Sequence, residues 1–287
     1  MKKSKQQNLK SKPRKSFAKK SLGQNFLADQ NYVDKIIAAV DPKQDETVIE
    51  IGPGRGALTR KLVEFAGKVI AIEIDRELIP LLREEFSSKE RFVLIKKDAL
   101  EVDFASLVAL QGVPAKTKLV ANLPYYISTA ILQRLIQYRN SFSYLVLMLQ
   151  KEVVERITAK PGTKKRGFLT VLIEAYFDTE KLFDVSPNAF HPIPKVTSSV
   201  VRLVPKKSGF TGPKESEILF REIISAGFAQ KRKTIQNNLK NISGELAERL
   251  EVRGGVARLF EEVSVDRQKR AESLTLQEWK QIANYLA

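Results

Sequence analysis

Apolar runs of four to ten residues alternate with amphipathic stretches through the first two thirds of the chain. The runs are short and rich in Val, Ile and Leu, which predicts buried β-strands. The predicted strands lie at residues 47–51, 68–74, 92–96, 118–121, 144–149, 168–177 and 196–204. Helices are predicted between the early strands, because apolar positions recur there at helical spacing. The predicted helices lie at residues 31–40, 57–65 and 76–86.

This alternation of strands and helices is typical of an α/β fold, in which a parallel sheet carries helices on both faces. The last two predicted strands, 168–177 and 196–204, are separated by a short link, which favours an antiparallel hairpin at the sheet edge. We therefore expect residues 21–205 to form a Rossmann-like domain. Its sheet should be mainly parallel, with an antiparallel edge hairpin.

The chain changes character after Pro205. Residues 206–215 are rich in Lys, Gly, Pro and Ser and predict a linker. Beyond them, apolar residues recur at helical spacing up to the last residue. Helices are predicted at residues 218–228, 231–239, 245–250 and 276–286. We expect residues 216–287 to form a small all-α domain.

Composition narrows the classes of protein to which the chain could belong. With 287 residues and 43% apolar content, it is long enough for one large domain and an appendage. It has no cysteine, which excludes disulfides, zinc–thiolate sites and a thiol nucleophile and suits a cytoplasmic protein. No apolar run approaches the roughly 20 residues that a membrane span needs, and the charged N-terminus lacks the apolar segment of a secretory signal.

The positive charge has two sources. The net charge is +16, and residues 1–20 contribute nine positive charges and no acid, which leaves +7 for the rest. Residues 1–20 are also polar and rich in Ser, so we expect a disordered basic arm. A basic arm on a basic body favours a polyanionic partner such as nucleic acid, although solvated surface charge is the simpler alternative.

A glycine-rich loop at residues 52–56 follows the first strand of the alternation and opens a helix. Its G-x-G-x-G spacing differs from the dinucleotide-binding pattern, which favours a nucleoside carrying an amino acid over a pyrophosphate. Glu73 and Asp98 lie at the ends of the next two strands, where carboxylates suit ribose hydroxyls and an adenine amino group. Such a loop alone often only tightens a turn. With the two acids, it predicts a site for S-adenosylmethionine.

The segment Asn122-Leu123-Pro124-Tyr125 closes another predicted strand. It places an amide, a rigid proline and an aromatic ring where a parallel sheet exposes chemistry. These groups suit holding the exocyclic amine of a flat base during methyl transfer. An ordinary turn at the end of a strand is the alternative, and the neighbouring cofactor crevice weighs against it.

Five segments of the chain resemble the rRNA adenine N6-dimethyltransferases, and within that family its bacterial small-subunit members. The resemblance covers residues 17–287. The segments lie at residues 21–27 (SLGQNFL), 49–56 (IEIGPGRG), 122–125 (NLPY), 188–192 with 194–196 (NAFHP and PKV) and 228–234 with 237–239 (FAQKRKT and NNL). The family pattern leads us to expect a small polar residue directly after the third segment, and Tyr126 departs from it.

The resemblance implies a cofactor, a substrate and roles for individual residues. S-adenosylmethionine would bind through Asn25, Leu27, Gly52, Glu73, Asp98 and Asn122, without a metal. The catalytic set would be Asn122, Leu123, Pro124, Tyr125 and Phe190. The substrate would be two adjacent adenosines in the 3′-terminal hairpin of 16S rRNA, each methylated twice, within a pre-30S or 30S particle. The helical domain would bind RNA, and the protein would act as a monomer.

The chemistry of the target explains this set of residues. The lone pair of an adenine N6 is delocalised, so acceptors for its two N–H bonds are needed to localise and aim it. We expect these acceptors to be the side-chain oxygen of Asn122 and a backbone carbonyl of Leu123 or Pro124. Tyr125 and Phe190 would stack on the two faces of the base. His191, the single histidine, lies between Phe190 and a proline, which favours a structural role over general-base catalysis.

Two rival functions remain at this stage. A large-subunit 23S rRNA methyltransferase of the macrolide-resistance type would share the cofactor site. The resemblance to that group is weaker, because Leu123 stands where we expect it to carry isoleucine and because the helical-domain segment matches the small-subunit members. A non-catalytic ribosome assembly factor could use a decayed methyltransferase fold, but Gly52, Glu73, Asp98 and Asn122 are intact. Residues 230–233, three of which are basic, suit contacts with the RNA backbone, with plain solvation of their charges as the alternative.

Overall fold

A computed structural model describes residues 23–110, 117–207 and 214–287 of the chain. The predicted basic arm at residues 1–20 lies outside the described residues. So do Ser21 and Leu22 of the first family segment, and most of the predicted linker.

Within the described ranges, seven strands form one sheet in the order β4-β3-β2-β5-β6-β9-β7, and two short strands, β1 and β8, pair separately. The strands are β1 (Phe26–Leu27), β2 (Thr47–Ile51), β3 (Lys68–Glu73), β4 (Phe92–Lys96), β5 (Thr117–Asn122), β6 (Tyr144–Gln150), β7 (Phe177–Val185), β8 (Phe190–His191) and β9 (Ser198–Pro205). Strands β2 to β6 run parallel, whereas β9 pairs antiparallel with both β6 and β7. The expected parallel sheet with an antiparallel edge is therefore confirmed.

Helices connect the strands and then continue to the C-terminus. They are α1 (Gln30–Val40), α2 (Thr59–Phe65), α3 (Leu78–Glu85), α4 (Phe104–Ala109), α5 (Ser128–Gln137), α6 (Lys151–Ile157), α7 (Phe168–Tyr176), α8 (Lys214–Gly227), α9 (Ile235–Lys240), α10 (Glu245–Val252), α11 (Gly255–Glu262) and α12 (Leu276–Leu286). In the part of the chain that the structure describes, no helix combines the length and apolarity that a membrane crossing requires.

The prediction of a strand at residues 168–177 was wrong. Its first nine residues form the helix α7, and the edge strand β7 begins only at Phe177. Seven of the nine helical residues are buried, because α7 packs between the sheet layer and the C-terminal helices. A helix buried all round has no polar face, so its sequence loses the amphipathic pattern and resembles a buried strand.

Alternate residues of the central strands pack into two different apolar layers. Val48, Val69 and Val120 lie on the face covered by α1 and α2. Ile49 and Leu119 lie on the opposite face, in a larger cluster that also contains residues of α5 and α7. The period of two residues along a strand produces this division. It fixes the sheet register, because a one-residue slip would exchange the two faces.

The larger cluster continues from the sheet into the C-terminal helices without a break. Trp279 of α12 is fully buried in it and stacks on Phe228, with ring centroids 5.6 Å apart. Helices α8 and α12 both contact α7. The C-terminal helices are thus packed onto the sheet domain through shared apolar side chains.

Replacing Gly227 with alanine is expected to destabilise this C-terminal packing. An added Cβ would lie 2.3 Å from Cη2 of Trp279 and 2.9 Å from Cδ1 of Ile235. Overpacking of this kind costs about 1–3 kcal/mol. Gly167→Ala is the matched control, since a Cβ there meets nothing within 4 Å. Denaturant unfolding would measure both variants, and equal midpoints would contradict the expected clash.

Candidate active site

The carboxyl ends of the parallel strands converge on one cleft. Strand β2 lies between β3 and β5, and Ile51 pairs with Ile72 on one side and Ala121 on the other. Glu73 and Asn122, the next residue of each neighbouring strand, therefore flank the end of β2 at a separation of about 10 Å. The chain winds outward in opposite directions from β2 and β5, and such switch points are where open α/β sheets bind ligands.

The cleft encloses about 1080 Å³, including its open mouth. All of the site residues expected from the sequence line it: Asn25, Leu27, Gly52, Glu73, Asp98, Asn122, Leu123, Pro124, Tyr125 and Phe190. Residues from six separate parts of the chain are thus brought to one place.

The glycine loop needs its glycines for both conformation and space. Gly52, Gly54 and Gly56 have φ angles of 69°, 58° and 76°, which side chains rarely allow. A Cβ on Gly54 would also come within 3.0 Å of the Phe26 ring. The backbone therefore approaches the cleft closely at a point where any other residue would be strained.

Glu73 is a buried carboxylate held by the backbone. Its Oε1 accepts hydrogen bonds from the N–H groups of Ile74 and Asp75, both at 2.9 Å, and its Oε2 accepts one from Gly54 at 3.3 Å. Burial raises the pKa of Glu73, and these three backbone donors partly offset the rise. A carboxylate has about four acceptor positions. One strong hydrogen bond from a ligand therefore fits at Glu73, and a second requires the long contact to Gly54 to yield.

Asp98 begins a single 3₁₀ turn at Ala99–Glu101. Its Oδ1 accepts a hydrogen bond from the backbone N–H of Leu100 at 2.9 Å. This bond holds the carboxylate in one orientation at the cleft wall. The side chain is suited to accept a hydrogen bond from an amino group.

Residues 23–27, which we call the N-terminal strap, line the cleft beside the glycine loop. Gln24 donates a hydrogen bond to Oδ2 of the buried Asp75 at 2.8 Å. The guanidinium of Arg55 lies over the Phe26 ring, with its Cζ 4.6 Å from the ring centroid. Strap residues and the glycine loop thereby form one wall. Gln24 and Phe26 belong to the first family segment but, like Asp75, were not predicted as individual site residues.

The segment Asn122–Tyr125 is fixed by several hydrogen bonds. Nδ2 of Asn122 donates to the carbonyl of Asn25 at 3.2 Å, and Leu123 N–H donates to the carbonyl of Met148 at 3.1 Å. The Pro124 carbonyl accepts from Ile127 N–H at 3.3 Å. Since the Pro124 oxygen already serves this turn, the Leu123 carbonyl is the better of the two predicted acceptors for a substrate amine.

Aromatic rings line the part of the cleft next to Asn122. The hydroxyl of Tyr125 hydrogen-bonds with that of Ser198 at 3.0 Å, which tethers its ring to β9. Phe190, in β8, is 3% exposed and reaches the same cleft. Its position follows from β8, which pairs antiparallel with the strap strand β1 and sets Phe190 opposite Leu27. His191 is exposed and is absent from the cleft lining.

Comparison with known proteins identifies the family of this chain. A model of the ribosomal RNA adenine dimethylase family matches residues 15–287. The chain belongs to that family. Ribosomal RNA small subunit methyltransferase A of Clostridium botulinum is 41% identical to this dimethylase over 268 residues, which cover 92% of each chain.

Solved structures support the same conclusion for the fold of the dimethylase. The crystal structure of a dimethyladenosine transferase from Plasmodium falciparum matches with a TM-score of 0.73 and 28% identity, and covers 90% of this chain and 95% of that one. The 23S rRNA methyltransferase ErmE matches with a TM-score of 0.67 and 24% identity over 91% of this chain and 99% of its own. The fold is therefore that of the class I methyltransferases, as expected.

Family and fold imply S-adenosylmethionine as the methyl donor, and the dimethylase cleft fits that group. The glycine backbone leaves room for close approach of a ligand, and Glu73 and Asp98 offer oxygens suited to hydroxyl and amino donors. Among the described residues, no cluster of His, Asp or Glu has the arrangement of a metal site.

Glu50, the last acid before the glycine loop, is a further cleft residue that the sequence did not single out. Its side chain is 2% exposed, and Oε2 accepts a hydrogen bond from the Thr59 hydroxyl at 2.6 Å. Burial raises the pKa of Glu50 to about 7; the Thr59 hydroxyl opposes the rise and the nearby Glu73 charge adds to it. The sequence offered no signal, because burial is a property of the fold.

Glu50 is expected to make the stability of the ligand-free dimethylase fall as the pH rises. The unfolded carboxyl has a pKa of 4.5, so between pH 4.5 and about 7 the folded state binds more protons and loses stability with rising pH. The total loss is about 3 kcal/mol. Glu50→Gln should remove this slope, as measured by denaturant unfolding across that range. Glu84→Gln, at an exposed site, is the control, and parallel profiles for Glu50→Gln and wild type would contradict the assignment.

Proposed function

We propose that this methyltransferase dimethylates the N6 amino groups of two adjacent adenosines in the 3′-terminal hairpin loop of 16S rRNA, during assembly of the small ribosomal subunit. The observation that carries the proposal is the single cleft that joins Glu73 and Asp98 to the Asn122–Tyr125 segment and Phe190. The name of the Clostridium relative supports the small subunit as the source of the RNA.

The cofactor half of the cleft would hold S-adenosylmethionine through Gly52, Glu73 and Asp98, with strap residues Asn25 and Leu27 along its methionine part. When bound, this cofactor supplies an electrophilic methyl group on a sulfonium. Glu73 would accept a hydrogen bond from one ribose hydroxyl rather than from both. One hydroxyl takes the remaining acceptor position, because three backbone N–H groups occupy the others.

The adenine amine would be oriented by two oxygens. Asn122 uses Nδ2 for the Asn25 carbonyl, which turns its Oδ1 toward other donors, and the Leu123 carbonyl provides the second acceptor. Together they hold both N–H bonds, so the N6 lone pair points at the methyl carbon. Such positioning is the main contribution that a protein makes to a reaction whose cofactor already carries the driving force.

The target base would leave its stack and enter between Tyr125 and Phe190. Extrusion costs least for an unpaired base, which suits an adenosine in a hairpin loop. Stacking on aromatic rings returns about 1–3 kcal/mol per base. The Ser198 hydrogen bond keeps the Tyr125 ring in place for this contact.

Contacts with the rest of the RNA would come from basic side chains. Residues 231–233 are three consecutive basic residues, and all are exposed in the turn before α9, which starts at Ile235 rather than at residue 231 as predicted. The net charge of +16 favours phosphate contacts over the whole protein. With a pre-30S or 30S particle as its partner, the protein would act in the cytoplasm.

Incubation with radiolabelled S-adenosylmethionine and separated ribosomal subunits that lack the modification would test the proposal. We expect label in small-subunit rRNA, recovered as N6,N6-dimethyladenosine. Label in the large subunit would instead support a 23S rRNA methyltransferase, for which the likeness to ErmE shows the fold alone. A protein that binds the small subunit but transfers no label would be an assembly factor, and either result would overturn the proposal.

A further inference from the structure

Tyr126 is an aromatic side chain at the mouth of the cleft that has no role in the function proposed above. Among the described residues, Phe65 and Tyr126 are the two aromatic side chains that are largely exposed, at 47% and 62%. Phe65 precedes β3 and lies at the amino edge of the sheet, away from the site. Tyr126 lines the cleft, directly after Tyr125.

The ring of Tyr126 is supported on one side by the strap. Gly23 has a φ of 55°, and a Cβ on it would lie 3.3 Å from Cδ1 and 3.6 Å from Cε1 of Tyr126. The strap backbone thus passes close to one edge of the ring. The neighbouring Tyr125 carbonyl accepts a hydrogen bond from the Ser128 hydroxyl at 3.0 Å, which steadies the turn that presents Tyr126. An aromatic ring held in this way loses little conformational freedom when a ligand covers its open face.

The substrate has a second base that needs a place. When one of two adjacent adenosines enters between Tyr125 and Phe190, its neighbour stays outside the cleft and has lost a stacking partner. The backbone keeps that neighbour beside the mouth. A flat, exposed aromatic ring at the mouth can stack with any of the four nucleobases, because each base has a π-face.

We propose that Tyr126 forms a second base subsite, on which the nucleobase adjacent to the target adenosine stacks. The inference rests on the proposed function and deepens it, since it states how a pair of adenosines is recognised. Tyr126 would then contribute to substrate affinity and leave cofactor affinity unchanged.

The test is a double-mutant cycle between the Tyr126 ring and the neighbouring base. Small subunits are reconstituted with a synthetic 3′ rRNA fragment that carries one target adenosine. Its neighbour is either purine riboside, which stacks but has no amino group to methylate, or an abasic nucleotide. Methyl transfer from labelled S-adenosylmethionine gives kcat/KM for each substrate with wild type, Tyr126→Leu, Tyr126→Phe and the exposed-ring control Phe65→Leu.

We expect wild type and Phe65→Leu to prefer the purine-riboside substrate by about ten-fold, in the range that base stacking supplies. Tyr126→Leu should lose the preference through a higher KM for the purine substrate, whereas Tyr126→Phe should keep it. Calorimetry should give Tyr126→Leu the cofactor affinity of wild type.

An unchanged preference in Tyr126→Leu would overturn the subsite. Equal loss on both substrates together with ten-fold weaker cofactor binding would also overturn it, because the ring would then act as a clamp on the strap. If wild type methylates both substrates without preference, the subsite alone fails. If wild type methylates neither, while unmodified subunits also receive no label, the proposed function fails and the subsite with it.

Discussion

Replacing Asn122 with alanine is expected to reduce methyl transfer to a small residual rate while cofactor binding weakens only modestly. The substitution removes one of the two oxygens proposed to orient the N6 amine, and loss of one such oriented polar group lowers turnover by about 100- to 1000-fold. It also removes the hydrogen bond from Nδ2 to the Asn25 carbonyl. The strap is then held less firmly, and for this reason we expect cofactor binding to weaken modestly. The glycine loop and both carboxylates stay in place.

Single-turnover methyl transfer to small subunits and calorimetry with S-adenosylmethionine would separate these two effects. Asn284→Ala, at an exposed position on α12, is the matched control and should behave as wild type in both assays. Wild-type turnover in Asn122→Ala would refute the catalytic role of the amide. A loss of turnover explained wholly by weaker cofactor binding would place Asn122 in the cofactor site alone.

Replacing Glu73 with alanine is expected to weaken cofactor binding by about 100-fold. Hydrogen bonds to a charged group contribute about 1.5–3 kcal/mol each, and the carboxylate is 5% exposed, so water screens it little. The substitution also leaves the N–H groups of Ile74, Asp75 and Gly54 without their acceptor. The glycine loop should therefore loosen at the same time as the ribose contact is lost.

Calorimetry on two variants distinguishes these contributions. Glu73→Gln keeps one acceptor oxygen and the shape of the side chain, so we expect it to bind the cofactor more tightly than Glu73→Ala but less tightly than wild type. Glu90→Ala, an exposed carboxylate before β4, is the control. Unchanged affinity in Glu73→Ala, with its fold verified by circular dichroism, would remove the ribose assignment.

The predictable parts of the fold are those with local patterns. Strand β2 was predicted at its observed bounds because Val48, Ile49 and Ile51 form a short apolar run directly before a glycine turn. Helix α7 was mistaken for a strand because its burial on all sides erased the helical period. The short helices α4, α5 and α11 were not predicted.

The site divides in the same way. Glu73, Asp98 and Asn122 were found from sequence because each ends a recognisable strand, and parallel strands bring their carboxyl ends together. Gln24 and Asp75 are 51 residues apart, and their hydrogen bond leaves no local pattern. The raised pKa of Glu50 also depends on what packs around it. Leu27 and Phe190 were expected at the site from family resemblance alone, and their pairing came only from the structure.

The two-stranded ribbon of β1 and β8 joins two parts of the cleft lining through strand pairing. Leu27 is proposed to border the cofactor and Phe190 the target base, and the ribbon pairs these two residues directly. If binding of one ligand changes the position of this ribbon and thereby the affinity for the second ligand, the second ligand must change the affinity for the first by the same factor, since linkage is reciprocal. The exchange of spent for fresh cofactor between successive methyl groups would then be sensitive to whether a nucleobase is still seated.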